Sequence, residues 1–152
     1  MATKRPEQPI VHAGIASLGR LCEAFRRRRE ALAASVGLSE GQWEVLEEIA
    51  TLHFMPSMFA KLRASSAAAV SKTLRQLINK GLIRSSLSKT DGRQRDYELT
   101  AKAEKILQTL RTEREGAIEA IWHPLDQEQI RQFTLFATTL AHRLENYMNK
   151  ET

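Results

Sequence analysis

Lys72, Arg75 and Gln76 recur at steps that place them on one side of a helix, sharing that face with Ala68, Ala69 and Asn79. Such a face suits recognition: a lysine ammonium can reach guanine acceptors, an amide can pair with adenine, and small residues let the backbone approach a groove. The face contains no acid. Further along, Lys89, Arg93 and Arg95 gather around what reads as a turn, and cations at such a tip suit a minor groove or a phosphate backbone. The alternative for the same residues is an ordinary helix and hairpin with a solvated basic surface.

Several elements must position these groups. Val70, Leu74, Leu77 and Ile78 fall at i, i+4, i+7 and i+8, which predicts the buried stripe of a helix. Ser66 suits its N-cap, and Gly81 supplies the left-handed residue that ends it after Lys80. Leu82 to Leu87 and Arg93 to Leu99 read as the strands of a hairpin turning through Ser88 to Gly92. Arg93, Arg95, Tyr97 and Leu99 alternate onto one side of the return strand. Upstream, Pro56 and Ser57 open a short helix that buries Phe59 and Leu62, and His53 to Met55 reads as a short strand beside the hairpin. Ser39 with Gln42 forms a capping-box pattern, followed by Trp43, Leu46, Ile49 and Ala50 as a buried side.

The two ends of the chain carry longer stripes. From Ile10 to Val36, the residues Val11, Ile15, Leu18, Cys22, Phe25, Leu32 and Val36 recur at helical steps, with Arg29 interrupting them, and Gly37 ends the run. The run Arg26 to Arg29 reads as a solvated face, or as arginines meeting a phosphate or an acidic partner. Thr100 caps a second long helix through Ala103, Leu107, Leu110, Ile118 and Ile121, which His123-Pro124 breaks. After Asp126, paired with Gln129 in a capping pattern, Ile130, Phe133, Ala137, Leu140, Leu144 and Tyr147 form a third stripe. With a central core already accounted for, a second copy of the chain is the natural partner for these stripes. Cys22 lies in the first stripe and is expected to be a buried structural thiol.

Composition sets outer bounds. The chain has 152 residues, 42% hydrophobic and 27% charged, enough for one globular domain with extensions. Its net charge of +5 is unevenly spread. Between Lys61 and Arg95 there are nine basic residues and one acid, Asp91, whereas 1–60 are balanced at seven of each and 96–152 carry seven basic and ten acidic groups. A basic middle between neutral and acidic flanks is the footprint of a polyanion-binding module on a scaffold. A single cysteine gives no disulfide, and no signal segment or run of about 18 apolar residues occurs, so no membrane span and a cytoplasmic location are expected. His12, His53, His123 and His142 show no ligand spacing, and no nucleophile elbow, phosphate loop or dinucleotide motif is present. Catalytic residues, metal ligands and cofactors are therefore expected to be none.

The succession FAKL, then VSKTLRQLINKGLI, then TDGRQRDYELT resembles the winged helix-turn-helix core of MarR-type bacterial transcription regulators. The family's D-x-R wing and Leu-Thr strand end match Asp91, Arg93, Leu99 and Thr100. Two features depart: Gly92 stands where many members carry a basic residue, and HFMPSMF replaces a short Gly-containing turn. The resemblance covers Gly37 to Leu110, and the flanking helices match by pattern. It implies a mainly α fold with a small β-wing. Residues 1–9 would be a mobile tail, 10–36 an N-terminal dimerisation helix, 37–100 the DNA-binding lobe, and 101–152 the C-terminal dimerisation helices. It implies double-stranded DNA as a partner, contacted by Ser66, Ala68, Ala69, Lys72, Arg75, Gln76, Lys89, Arg93 and Arg95. It also implies a homodimer through the terminal helices, with Val11, Ile15, Leu18, Phe133, Leu140 and Leu144 at the interface. The resemblance implies a small-molecule effector pocket between the dimer helices and the DNA-reading lobe, and repression at a pseudo-palindromic operator; from the residues themselves, the run FMPSMF reads either as the lining of a pocket for a hydrophobic effector, at Phe54, Met55 and Met58, or simply as core. The competing reading is a winged-helix protein-interaction module that turns its basic face to an acidic partner.

Overall fold

The computed structural model describes residues 6–51, 54–88 and 94–150. Six helices and one hairpin follow in the order α1 (Gln8–Ser35), α2 (Glu40–Ile49), α3 (Pro56–Leu62), α4 (Ala67–Asn79), β1 (Ile83–Leu87), β2 (Arg95–Leu99), α5 (Ala101–Ile121) and α6 (Gln127–Met148). The chain divides into two compact units, Met1–Leu110 and Arg111–Thr152, and α5 belongs to both.

The first unit is built on sharp helix ends. α1 and α4 each close with a glycine at positive φ, Gly37 at 73° and Gly81 at 68°. In both, the amides of that glycine and of the next residue turn back onto the last helical carbonyls: Gly37 to Ala34 and Leu38 to Ala33, Gly81 to Ile78 and Leu82 to Leu77. α3 closes in the same way through Ala64 and Ser65, but its left-handed residue is an alanine at φ 48°. That position carries no glycine signal, and a left-handed alanine costs about 1 kcal/mol.

The core of this unit gathers Ala33, Leu38, Trp43, Val45, Leu46, Ile49, Phe59, Ala60, Val70, Leu74, Leu77, Leu82, Ile83, Ala103, Leu107 and Leu110. The expected buried positions of α2, α3 and α4 are therefore buried, with three exceptions. Ala50 is the exposed C-cap of α2, Ile78 is 39% exposed at the edge of α4, and Leu62 is 75% exposed at the end of α3. Periodicity alone does not decide such edge positions, because the apolar arc of a helix can be wider than its contact. The hairpin pairs Ile83 with Leu99, Ser85 with Tyr97 and Leu87 with Arg95. Of the short strand expected before α3, His53 lies outside the described residues. Phe54 and Met55 are not in a strand, and Met55 is instead the extended N-cap of α3.

The α1 helix starts at Gln8, with a proline in its first turn, so it reaches back into the segment read as a tail. Among the described residues of the second unit, none is buried; Ala117, Trp122, Ile130 and Ala137 are half-buried. The α6 helix begins at Asp126, whose carboxylate accepts from Glu128 N and not from Gln129 as the capping pattern suggested.

Candidate nucleic-acid interface

The outer face of α4 is assembled by its caps and its buried stripe. Ser66 Oγ accepts from Ala69 N at 3.1 Å, so this hydroxyl opens the helix. Burial of Val70, Leu74 and Leu77 then turns Ala68, Ala69, Lys72, Arg75, Gln76 and Asn79 outward, all exposed. Lys72 and Arg75 have no ion-pair partner among the described residues, nor do Lys61 on α3 and Arg84 on β1. No acid occurs between Pro56 and Ser88. Arg95 is exposed near the far end of the hairpin and donates to Ser85 Oγ at 3.3 Å. Lys89 and Arg93, together with Asp91 and Gly92, lie outside the described residues.

Not every cation of this basic middle faces outward. Lys80 Nζ donates to Gly37 O at 2.7 Å and to Gln42 Oε1 at 2.8 Å, closing the end of α4 onto the α1–α2 turn. Lys102 Nζ donates to Lys80 O at 3.0 Å, and Thr100 Oγ1 donates to Gly81 O at 2.8 Å, which ties the start of α5 to the same corner. Arg63 at the C-cap of α3 lies 3.6 Å from Glu44 and over the Phe59 ring. The charge count of the sequence therefore overstates the free positive surface.

Three arginines of the α1 run, Arg26, Arg27 and Arg29, also pair within the chain. Arg26 pairs with Glu23 and Glu30. The hydrogen bond from Arg26 holds the Glu23 carboxyl below its ordinary range, with the nearby charges of Arg26 and Arg27 helping and partial desolvation opposing. Arg29 Nε sits 2.8 Å from Glu40, its Nη2 lies 3.7 Å from Glu47 and 3.9 Å from Glu44, and its guanidinium stacks 4.2 Å from the centre of Trp43. Of the two readings of the run, the acidic partner holds for Arg29, and that partner is α2. Glu40, Glu44 and Glu47 recur at helical steps, which was the available signal. Pairing them with a residue of another helix needed the fold.

Residues 38–103 match the family model described as a winged helix DNA-binding domain. A comparison with curated proteins returns no match. Among solved structures, a MarR family transcription regulator is similar over 95% of both chains, at 16% identity and a TM-score of 0.81. Staphylococcus aureus MarR in complex with salicylate and kanamycin is 20% identical, covering 91% of this chain and 95% of that one, with a TM-score of 0.74. The S. aureus MepR–DNA complex is 16% identical, over 84% of this chain and 93% of that one, with a TM-score of 0.66. The fold is the MarR fold.

In this MarR-fold chain the terminal stripes are open. Val11, Ile15, Leu18, Phe133, Leu140 and Leu144 are between 41 and 63% exposed, and α6 has no buried residue. Cys22, expected to be buried, is exposed in the single chain with Val11, Ile15, Leu18 and Phe25 of its stripe, whereas Leu32 and Val36 pack against the core. Within the single chain nothing buries this part of the stripe. Of the three residues named for an effector, Phe54 turns into an aromatic cluster with Phe59 and Tyr97, at centroid distances of 5.7 and 5.8 Å. Met55 and Met58 are exposed. Among the described residues no His, Cys, Asp and Glu cluster could hold a metal, and no helix is long and apolar enough to cross a membrane.

Proposed function

We propose that this chain is a MarR-type transcriptional regulator that binds a pseudo-palindromic operator in duplex DNA as a homodimer, and that it acts as a repressor in the cytoplasm. The observation that carries the reading is the outer face of α4: small at its start, then lysine, arginine and amides, all exposed and without an acid. Small residues allow close approach to a groove, Lys72 offers a donor to guanine, and Lys61, Arg75 and Arg84 suit phosphates. The exposed stripes of α1 and α6 support the homodimer, since large apolar surfaces of this kind call for a partner. Two α4 helices related by a twofold axis would read half-sites about one helical turn apart, roughly 10 base pairs centre to centre. A small-molecule effector would release DNA by preferring a spacing of the two α4 helices that does not fit the operator, lowering DNA affinity by that preference.

The test is the affinity for duplex DNA across a salt series, followed by sequencing of what the protein selects from a random pool. Log affinity should fall linearly with log salt, with a slope of about 0.9 per neutralised phosphate, and the selected sites should show an inverted repeat. Absence of a salt slope with duplex DNA, together with salt-dependent capture of an acidic protein, would instead establish a protein-interaction module.

A further inference from the structure

Gln42 is the one buried polar side chain among the described residues. Both ends of its amide are engaged: Oε1 accepts from Ser39 N at 3.2 Å and from Lys80 Nζ at 2.8 Å, and Nε2 donates to Gln76 Oε1 at 3.1 Å. Donor and acceptor logic fixes the orientation of both amides. Ser39 N and the Lys80 ammonium can only donate, so the atom of Gln42 that faces them must be its carbonyl oxygen. The other end of Gln42 is then an NH2 group, and the atom of Gln76 that meets it must be an acceptor. Gln76 is exposed on the outer face of α4, one turn beyond Lys72. The bond to Gln42 engages one of the two lone pairs of the Gln76 carbonyl and fixes the amide with that carbonyl toward Gln42 and its NH2 on the other branch.

Resting on the proposed reading of α4 as the DNA-facing helix, we infer that Gln42 is a positioning residue that sets the orientation in which the Gln76 amide meets DNA, NH2 foremost. A free glutamine pairs with adenine by accepting from N6 while donating to N7. In Gln76 one lone pair of the accepting half is already committed to Gln42, so the NH2 is the freer half. That NH2 suits DNA groups that accept: a phosphate oxygen, or a base-edge acceptor such as guanine O6 and N7, thymine O4 or adenine N7. The chain Lys80, Gln42, Gln76 thereby carries the α1–α2 turn into the chemistry of the reading face.

The informative substitution is Gln42→Glu. A carboxylate keeps both acceptor contacts, with Ser39 N and with Lys80, so the capping box and the corner survive. It has no donor for Gln76. To keep a hydrogen bond, the Gln76 amide must flip, donate inward and present its carbonyl outward. In the free protein, side-chain amide NMR should show the Gln42 NH2 protected from exchange and the Gln76 NH2 unprotected in the parent, with the Gln76 NH2 becoming protected in Gln42→Glu. A protected Gln76 NH2 in the parent overturns the inference whether or not DNA binds.

On duplex DNA two results support it and separate the two kinds of acceptor. A changed preference at one base pair of each half-site in pool selection marks a base edge. A uniform loss of about tenfold, with unchanged sequence preference, marks a phosphate. Unchanged affinity and unchanged preference in a Gln42→Glu protein with parental melting temperature overturn it. If the parent shows no salt-dependent duplex binding, the reading of α4 fails, while the amide exchange data still decide the orientation of Gln76.

Discussion

Replacing Arg29 with alanine should loosen the joint between α1 and α2. The Arg29 side chain is 29% exposed, and its Nε sits 2.8 Å from Glu40, so this partly screened pair is worth about 0.5 to 1 kcal/mol. The contacts with Glu47 at 3.7 Å and Glu44 at 3.9 Å are longer and add less. Stacking over Trp43 at 4.2 Å adds about 1 kcal/mol. The total is about 2 kcal/mol, which for a chain of this length lowers the melting temperature by roughly 4 to 8 °C. Arg29→Lys keeps the charge but loses the planar stack and should fall between the two. Melting followed by circular dichroism, at one fixed protein concentration because association shifts apparent stability, makes the measurement. In high salt the ion-pair share should shrink and the stacking share persist, so the difference between parent and Arg29→Ala narrows without vanishing. A difference below about 1 °C at low salt would refute the role of this joint.

Four further outcomes are expected. Charged residues at Leu140 and Leu144 together should give a monomeric or poorly folded chain, since each buried leucine lost costs about 2 to 5 kcal/mol; light scattering checks this, and an intact dimer refutes it. The Cys22 thiol supplies a second readout: it should react slowly with a thiol reagent in the parent and faster in that variant. Lys72→Ala should cost about 1 to 3 kcal/mol and relax one base pair of each half-site, whereas Arg93→Ala should weaken all sequences and flatten the salt slope, both read from binding across salt. Ala64→Gly should be neutral or stabilising by up to about 1 kcal/mol, and Gly81→Ala destabilising by a similar amount, in urea melts. Glu23 titrates below its ordinary value of 4.5, so its pairing contributes above that pH and is lost as pH falls through the lowered pKa. Arg26→Ala should move the Glu23 carboxyl resonance midpoint upward, and an unmoved midpoint would contradict the pairing.

The parts legible in the sequence are those with a local cause. Gly37, Gly81, the Ser39–Gln42 box and the Ser66 cap each report a backbone need within a few residues, and the structure has all of them. The contacts that tune the interface span long separations: Lys80 to Gly37, Gln42 to Gln76, Arg29 to Glu40. In sequence these look like solvated polar residues, and only the packing of helices makes them neighbours. Ala64 shows the reverse limit, a glycine-type turn without its glycine. The apolar stripe of α1 was read correctly as a stripe, but its period does not say which molecule covers it. Cys22 is exposed in the single chain for that reason.

The absence of any buried residue along α6 has a consequence for the life of the molecule. A helix with no fully buried face is weakly held, because most helical stability in proteins comes from the packing of one face. Until α6 is covered, its backbone opens often, and opened backbone is what proteases cleave. Newly made chains that fail to find cover would be cleared faster than assembled ones. The amount of working protein would then rise more steeply than the amount synthesised, so that the half-life of the chain itself reports how crowded it is with its own kind.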